Sequence, residues 1–162
     1  MDAVLNELLT PRAAHLAAAL EREIRSPEAP HYRGAPPDVL RARCERLVSS
    51  FLESVRAGGP GAFVAYVRTI AEERIAEGFF LGEVQQALSA LEAQAWPLVV
   101  KAGGEVSDVA RRLAVISGIV GRAKDELARV FLAHKEQADS RVALLERRLA
   151  ELFKGTTPPP ES

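Results

Sequence analysis

Three histidines, His15, His31 and His134, have the widest chemical range of any residues in this chain. An imidazole can ligate a metal, hold haem iron or move a proton near neutral pH. Metal work needs ligands in close register, such as two histidines one helical turn apart. None of the three has such a neighbour. His31 lies in a proline-rich stretch, and His134 is flanked by Lys135 and Glu136. Each reads as a solvated histidine, with an axial haem ligand on an all-α fold as the sharper reading. Glu72, Glu73 and Glu77 gather around Arg74. Such a set suits acid–base work or a metal, but at helical spacing it reads as a solvated face. Gly58, Gly59 and Gly61 lack the lysine and Ser/Thr of a phosphate loop, and no serine sits in a G-x-S-x-G elbow. Cys44 is the single cysteine, which excludes an internal disulfide framework and a cysteine-rich metal site. Its place in a helical pattern predicts a buried, inert thiol. No nucleophile, base and orienting group come together. The chain reads as a non-enzyme, with no catalytic, cofactor or metal-binding residue assigned.

The length of 162 residues suits one domain with a sizeable core. Acids and bases are interleaved and the formal net charge is -1, without the basic excess of a nucleic-acid binder. The opening MDAVLNELLT is acidic where a secretory signal is basic. No stretch approaches the ~20 apolar residues that span a bilayer. The expectation is a cytoplasmic protein that neither enters a membrane nor binds nucleic acid.

Alanine, leucine, glutamate and arginine dominate, and strand-type alternation is missing. The prediction is an all-α chain: one bundle of five to seven helices with a long C-terminal helix, over 1–153. At its centre, Gly61 to Val100 reads as two helices joined by a glycine corner. Phe63, Tyr66, Val67, Ile70, Arg74 and Ile75 share one helical face. Gly78 breaks the pattern and is expected to take the left-handed conformation past a helix end. Phe79, Phe80 and Leu81 are expected to plug the corner. Val84, Ala87, Leu88, Leu91, Ala95 and Leu98 mark the next helix.

Before this pair, Thr10-Pro11 reads as a cap and first helical residue, so that two helices meet or one kinks. Ser26 to Pro37 reads as a loop holding Tyr32, and Asp38 as the cap of a helix over Val39 to Val55. After Gly103-Gly104 a helix starts near Val109 and runs to about Phe153. Gly118 and Gly121 inside it read as a close helix crossing. Over 124–153 this helix carries a heptad seam. Phe131, Ala138, Leu145 and Leu152 take one core position, and Lys135, Val142 and Leu149 the other. Arg141 at g and Glu146 at e suit a parallel pair, so a homodimer through Val142, Leu145, Leu149 and Leu152 is expected. The tail over 154–162 is expected to be disordered.

The run from Leu40 to Leu88 resembles the N-terminal domain of the Rsb-type co-antagonist proteins. The matching residues are Arg74, Gly78, Phe79, Leu81, Glu83 and Val84, with Tyr32 ahead of them. The likeness covers roughly Leu16 to Val130. It implies a helical sensory or regulatory domain of bacterial signalling, globin-like in shape without haem, dimeric, and placed ahead of an output domain. This chain ends at Ser162 without such a domain, so a stand-alone adaptor or a fragment is implied. The expected function is a signalling module that binds a partner protein and has room for a small-molecule ligand. The alternative is a globin-type sensor of haem or another small molecule.

Overall fold

The computed structural model describes residues 2–154. Among them are seven α-helices, a 3-10 turn and no strand. The helices are α1 (Ala3–Leu9), α2 (Ala13–Ile24), α3 (Pro30–Arg33), α4 (Pro37–Ala57), α5 (Gly61–Ala76), α6 (Leu81–Ala102) and α7 (Val106–Lys154). The expected all-α bundle with a long last helix is what the chain forms. The tail expectation falls almost wholly on residues outside those described; Lys154 itself ends α7.

The principal packed pairs are α5 with α7, α6 with α7, α2 with α4, α2 with α6, and α4 with α5. Their apolar faces merge into one core. Leu16 and Leu20 from α2, Phe51 from α4, Phe63 and Val67 from α5, Leu88 and Leu91 from α6, and Ile116 and Val120 from α7 are all buried in it. Leu113, placed in the core by its spacing, is only partly buried at its edge.

Glycine takes positive φ at three turns among the described residues, and two of them, at Gly58 and Gly78, flank α5. Gly58 ends α4 at φ 75°, and the Gly59 N–H donates to the Ser54 carbonyl at 3.1 Å. Across the same turn the Ser54 hydroxyl accepts the Phe63 N–H at 2.8 Å, satisfying a donor that the first turn of α5 leaves open. Gly78 follows α5 at φ 85°, as its position predicted. Here the Gly78 N–H donates to the Ile75 carbonyl at 3.0 Å and the Phe79 N–H to the Arg74 carbonyl at 2.9 Å. This is a Schellman turn, and it fixes the direction in which the chain leaves α5.

Several local expectations are corrected. Thr10 is not an N-cap: it is the C-cap residue of α1 and opens a 3-10 turn (Thr10–Arg12), and its hydroxyl donates to Asn6 Oδ1. Two helices do meet there. Helix α4 starts at Pro37, a residue with no N–H to leave unpaired, and Asp38 lies in its first turn instead of capping it. The supposed loop contains α3, one turn that seats Tyr32 in the core. Helix α6 continues through Pro97, which has no N–H for the carbonyl of Ala93. Both residues are exposed, so water can take the missing place.

Gly118 and Gly121 do not serve a close crossing. A methyl group added at either would meet nothing within 4 Å. Both therefore cost helix stability without a packing return. Gly118→Ala and Gly121→Ala are each expected to stabilise the fold by about 0.5–1 kcal/mol. Urea unfolding measures this, and destabilisation by either variant would contradict the open environment.

Candidate functional site

The Schellman turn at Gly78 brings the chemistry of the chain to one corner. Arg74 sits in the last turn of α5, and Phe79 is the first residue to leave the turn. The geometry that bonds their backbones also stacks their side chains. The Arg74 guanidinium lies 5.6 Å from the centre of the Phe79 ring, and that of Arg43, from α4, lies 5.9 Å from it. His31 stacks on Phe79 at 4.8 Å, and Tyr32 meets it edge-on at 4.8 Å. Phe79 is buried and thus joins α3, α4 and α5. Its expected companion Phe80 is 66% exposed and forms no plug. Phe80 is the N-cap residue of α6, in extended backbone, which turns its side chain outward from the core.

Glu83 secures the other side of the corner. Though it is 3% exposed, its carboxylate accepts three N–H groups. These are the His31 backbone N–H at 2.9 Å, His31 Nδ1 at 2.8 Å and the Phe80 N–H at 2.9 Å. The last contact is one half of a capping box at the start of α6. His31 is therefore half-buried and engaged, not solvated as its loop-like sequence suggested. His15 and His134 are exposed.

The charges on Arg74 are arranged unevenly. Its side chain is 3% exposed. One nitrogen, Nη1, faces Glu77 at 3.2 Å and Glu73 at 3.4 Å. Nε is buried and has no hydrogen-bond partner. Glu77 also accepts from Arg43, through both oxygens at 2.8 Å. The acidic cluster read from the sequence is thus exposed at Glu72 and Glu73, while Glu77 bridges two guanidiniums.

Behind Arg74 lies a hollow of about 20 Å³, shared by Tyr32, Arg43, Cys44, Tyr66 and neighbouring apolar residues. That volume holds about one water. Burial pushes the Tyr32 phenol up to about 12 against the pull of Arg74 and Arg43, so it stays a neutral donor. Burial likewise pushes the Cys44 thiol up to about 12. Cys44 is 2% exposed and matches the inert thiol expected of it.

The residues proposed for pairing lie elsewhere. Helix α7 packs into the bundle through Arg112, Ile116, Ile119, Val120, Ala123, Leu127 and Val130. Residues 134–154 are all exposed. Arg141, Val142, Leu145, Glu146, Leu149 and Leu152 all stand on this segment, with Val142 at 54%, Leu145 at 59% and Leu149 at 54% exposure. Of the heptad seam, only Phe131 belongs to the bundle, as a partly buried residue at the core edge.

No family model matches the sequence, and no curated protein matches it. Among solved structures, the fold is similar to the globin domain of E. coli DosC in its ferrous form II. The TM-score is 0.63 at 16% identity, over 78% of this chain and 87% of that one. The chain therefore has a globin-like fold.

A globin fold raises the question of haem, which globins hold through a proximal histidine inside the helical pocket. These residues do not fit it. His15 and His134 are exposed, and His31 is bound to Glu83 and stacked on Phe79. The hollow among the core helices admits about 20 Å³, while haem needs a pocket of several hundred. The larger hollows, about 390 Å³ each, lie at the α2–α4 groove, beside Pro60 and Arg129, and along α7, and no histidine lines them.

Glu83 is the residue whose loss this arrangement makes most costly. Glu83→Ala leaves three N–H groups without their acceptor and is expected to destabilise by about 3 kcal/mol. Glu83→Gln keeps one acceptor oxygen and should cost about half as much. Urea unfolding distinguishes the two, and a cost below about 1 kcal/mol for Glu83→Ala would contradict the role assigned to this carboxylate.

Proposed function

We propose that this chain is a sensor domain of globin-like fold that works without haem. It binds a small ligand other than haem at the α3–α5–α6 corner and passes its state along α7 to a partner protein in bacterial signalling. The observation that carries this reading is the division of α7. One helix of 49 residues has its first half in the core and its second half standing clear of the bundle. At ~1.5 Å per residue, the exposed stretch over 134–154 extends about 30 Å. A rigid element of that kind links packing around Val120 and Leu127 to whatever engages its far end. Helix α5 packs along the buried half of α7, so a change at Arg74 has a direct mechanical route to it. Arg68 of α5 and Arg129 of α7 both bond to Glu126, and these bonds hold the Glu126 carboxyl down at about 2.

Similarity to the Rsb-type co-antagonist domains supports the same reading, because the matching residues Arg74, Gly78, Phe79, Glu83 and Tyr32 are the ones that build the corner. The fold shared with the DosC globin domain supports a small-molecule sensor. The absence of an assembled nucleophile and base in the sequence supports a non-enzymatic role.

The partner proposed for the far end of α7 is first a second copy of this chain. Val142, Leu145 and Leu149 present an apolar stripe in heptad register, and water around such a stripe favours burial. In a parallel pair Arg141 faces Glu146 of the partner subunit, setting orientation more than affinity, since exposed ion pairs contribute at most ~1 kcal/mol. Burying a leucine is worth ~1.5–3 kcal/mol, enough for several such positions to offset the entropy of association. Light scattering is expected to report a dimer at tens of micromolar (roughly the range for a weak coiled coil). The double variant Leu145→Glu with Leu149→Glu should be a folded monomer. A monomeric wild type would overturn the pairing, and a Soret band in the purified protein would overturn the haem-free reading.

A further inference from the structure

We infer that the corner is a binding site for a small oxyanion and that Glu77 occupies it as an internal substitute. This deepens the sensor reading by naming the ligand class, and rests on it for the consequence of binding but not for binding itself.

A guanidinium binds carboxylate and phosphate oxygens through planar, paired N–H donors. Two guanidiniums converge here on one carboxylate. Arg43 holds both Glu77 oxygens at 2.8 Å, and Arg74 holds one of them at 3.2 Å. Glu77 is 40% exposed, so solvent reaches the carboxylate, while Arg74 beneath it is not exposed to solvent in the same way. A carboxylate tethered at the end of α5 satisfies the outer donors but leaves the inner one, Arg74 Nε, unpartnered and buried.

A charged group left with an open donor in low dielectric is a costly arrangement, and a native fold retains it where something else supplies the acceptor. The hollow behind Arg74 has room for about one oxygen-sized group, and Tyr32 supplies a phenol on its wall. An untethered oxyanion between Arg43 and Arg74 brings more acceptor oxygens to the outer donors than the single carboxylate of Glu77. The hollow, which Glu77 does not line, has room for a water that accepts from the inner Nε. No other cluster of the described residues combines a buried open donor with a hollow it lines. Arg112 also has a buried open Nε, but Asp2 lies against it at 3.7 Å.

Release of Glu77 would act on the Schellman turn directly, because Glu77 is the C-cap residue of α5 and immediately precedes Gly78. An anion bound between Arg43 and Arg74 would keep α4 and α5 tied while freeing that residue.

The test is isothermal titration of the full chain with sodium phosphate and, separately, with sodium acetate. Phosphate and carboxylate share the acceptor chemistry, and the two arms tell which of them the site takes. Glu77→Gln removes the internal anion and is expected to tighten binding of at least one probe by about tenfold or more, at one per chain. Adding Arg43→Gln should abolish that gain. Tyr32→Phe in the Glu77→Gln background is expected to weaken binding severalfold. If Glu77→Gln retains native circular dichroism and binds neither phosphate nor acetate at tens of millimolar, the site is overturned. Binding that survives Arg43→Gln unchanged overturns it equally. Binding that leaves the oligomeric state untouched keeps the site and counts against the relay along α7.

Discussion

A single backbone angle governs the functional end of this molecule. Gly78 takes φ 85°, a conformation that side-chain-bearing residues resist because Cβ crowds the backbone. That angle lets α5 end in a Schellman turn, and the turn delivers Phe79 onto the Arg74 that lies one turn behind it. Once Phe79 is there, its two faces and edges are taken by His31, Tyr32, Arg43 and Arg74. Glu83 then fixes His31 from α6. Five helices meet at the corner, because α2 contributes Ile24 to the same hollow.

The globin-like architecture gains a different interior from this. A globin organises its helices around a prosthetic group; in this chain the corner of α3, α4 and α5 is packed with aromatic and cationic side chains around Phe79. The energetic character differs accordingly. An apolar cofactor slot is held open by shape, while a guanidinium–carboxylate set is held closed by charge and by the cost of leaving any member unpaired. Glu77 and Glu83 both gather hydrogen-bond donors, Glu77 from two guanidiniums and Glu83 from backbone and imidazole nitrogens, and their settings differ. Glu83 is buried with three donors and is structural; Glu77 is exposed and exchangeable. A site of that design suits a ligand that resembles a carboxylate.

Much of the fold was legible in the sequence because helical spacing is a strong signal. The buried faces of α4, α5 and α6 follow their 3.6-residue period, and the left-handed glycine at Gly78 follows from its place after a helix. The all-α class with a long terminal helix follows likewise. The corner was less legible. Arg74 fell on the apolar face of α5, and its burial was there to be read; the nearby glutamates made it look like part of a solvated cluster. His31 in a proline-rich stretch gave no sign of Glu83, 52 residues away. Such pairing is set by tertiary packing and leaves no local period. Phe79 and Phe80 are chemically identical neighbours, and only the direction of the turn decides which is buried. Gly118 and Gly121 looked like packing devices, but an inward-facing glycine and an outward-facing one have the same letter. The heptad seam on α7 was legible in its spacing, but that residues 134–154 stand clear of the core while Phe131 packs against it is set by where the bundle ends, which leaves no mark in the period.

The dependence of the corner on Gly78 is tested most directly by comparing Gly78→Asn with Gly78→Val in urea unfolding. Asparagine adopts the left-handed conformation at small cost, whereas a β-branched residue does not. A Cβ at this position would have His31 Nε2 as its nearest neighbour at 3.8 Å, so the atom both variants add first has room. The account predicts that Val costs about 1–2 kcal/mol more than Asn. Equal stability of the two variants would contradict it, and would mean that the chain leaves α5 by another route.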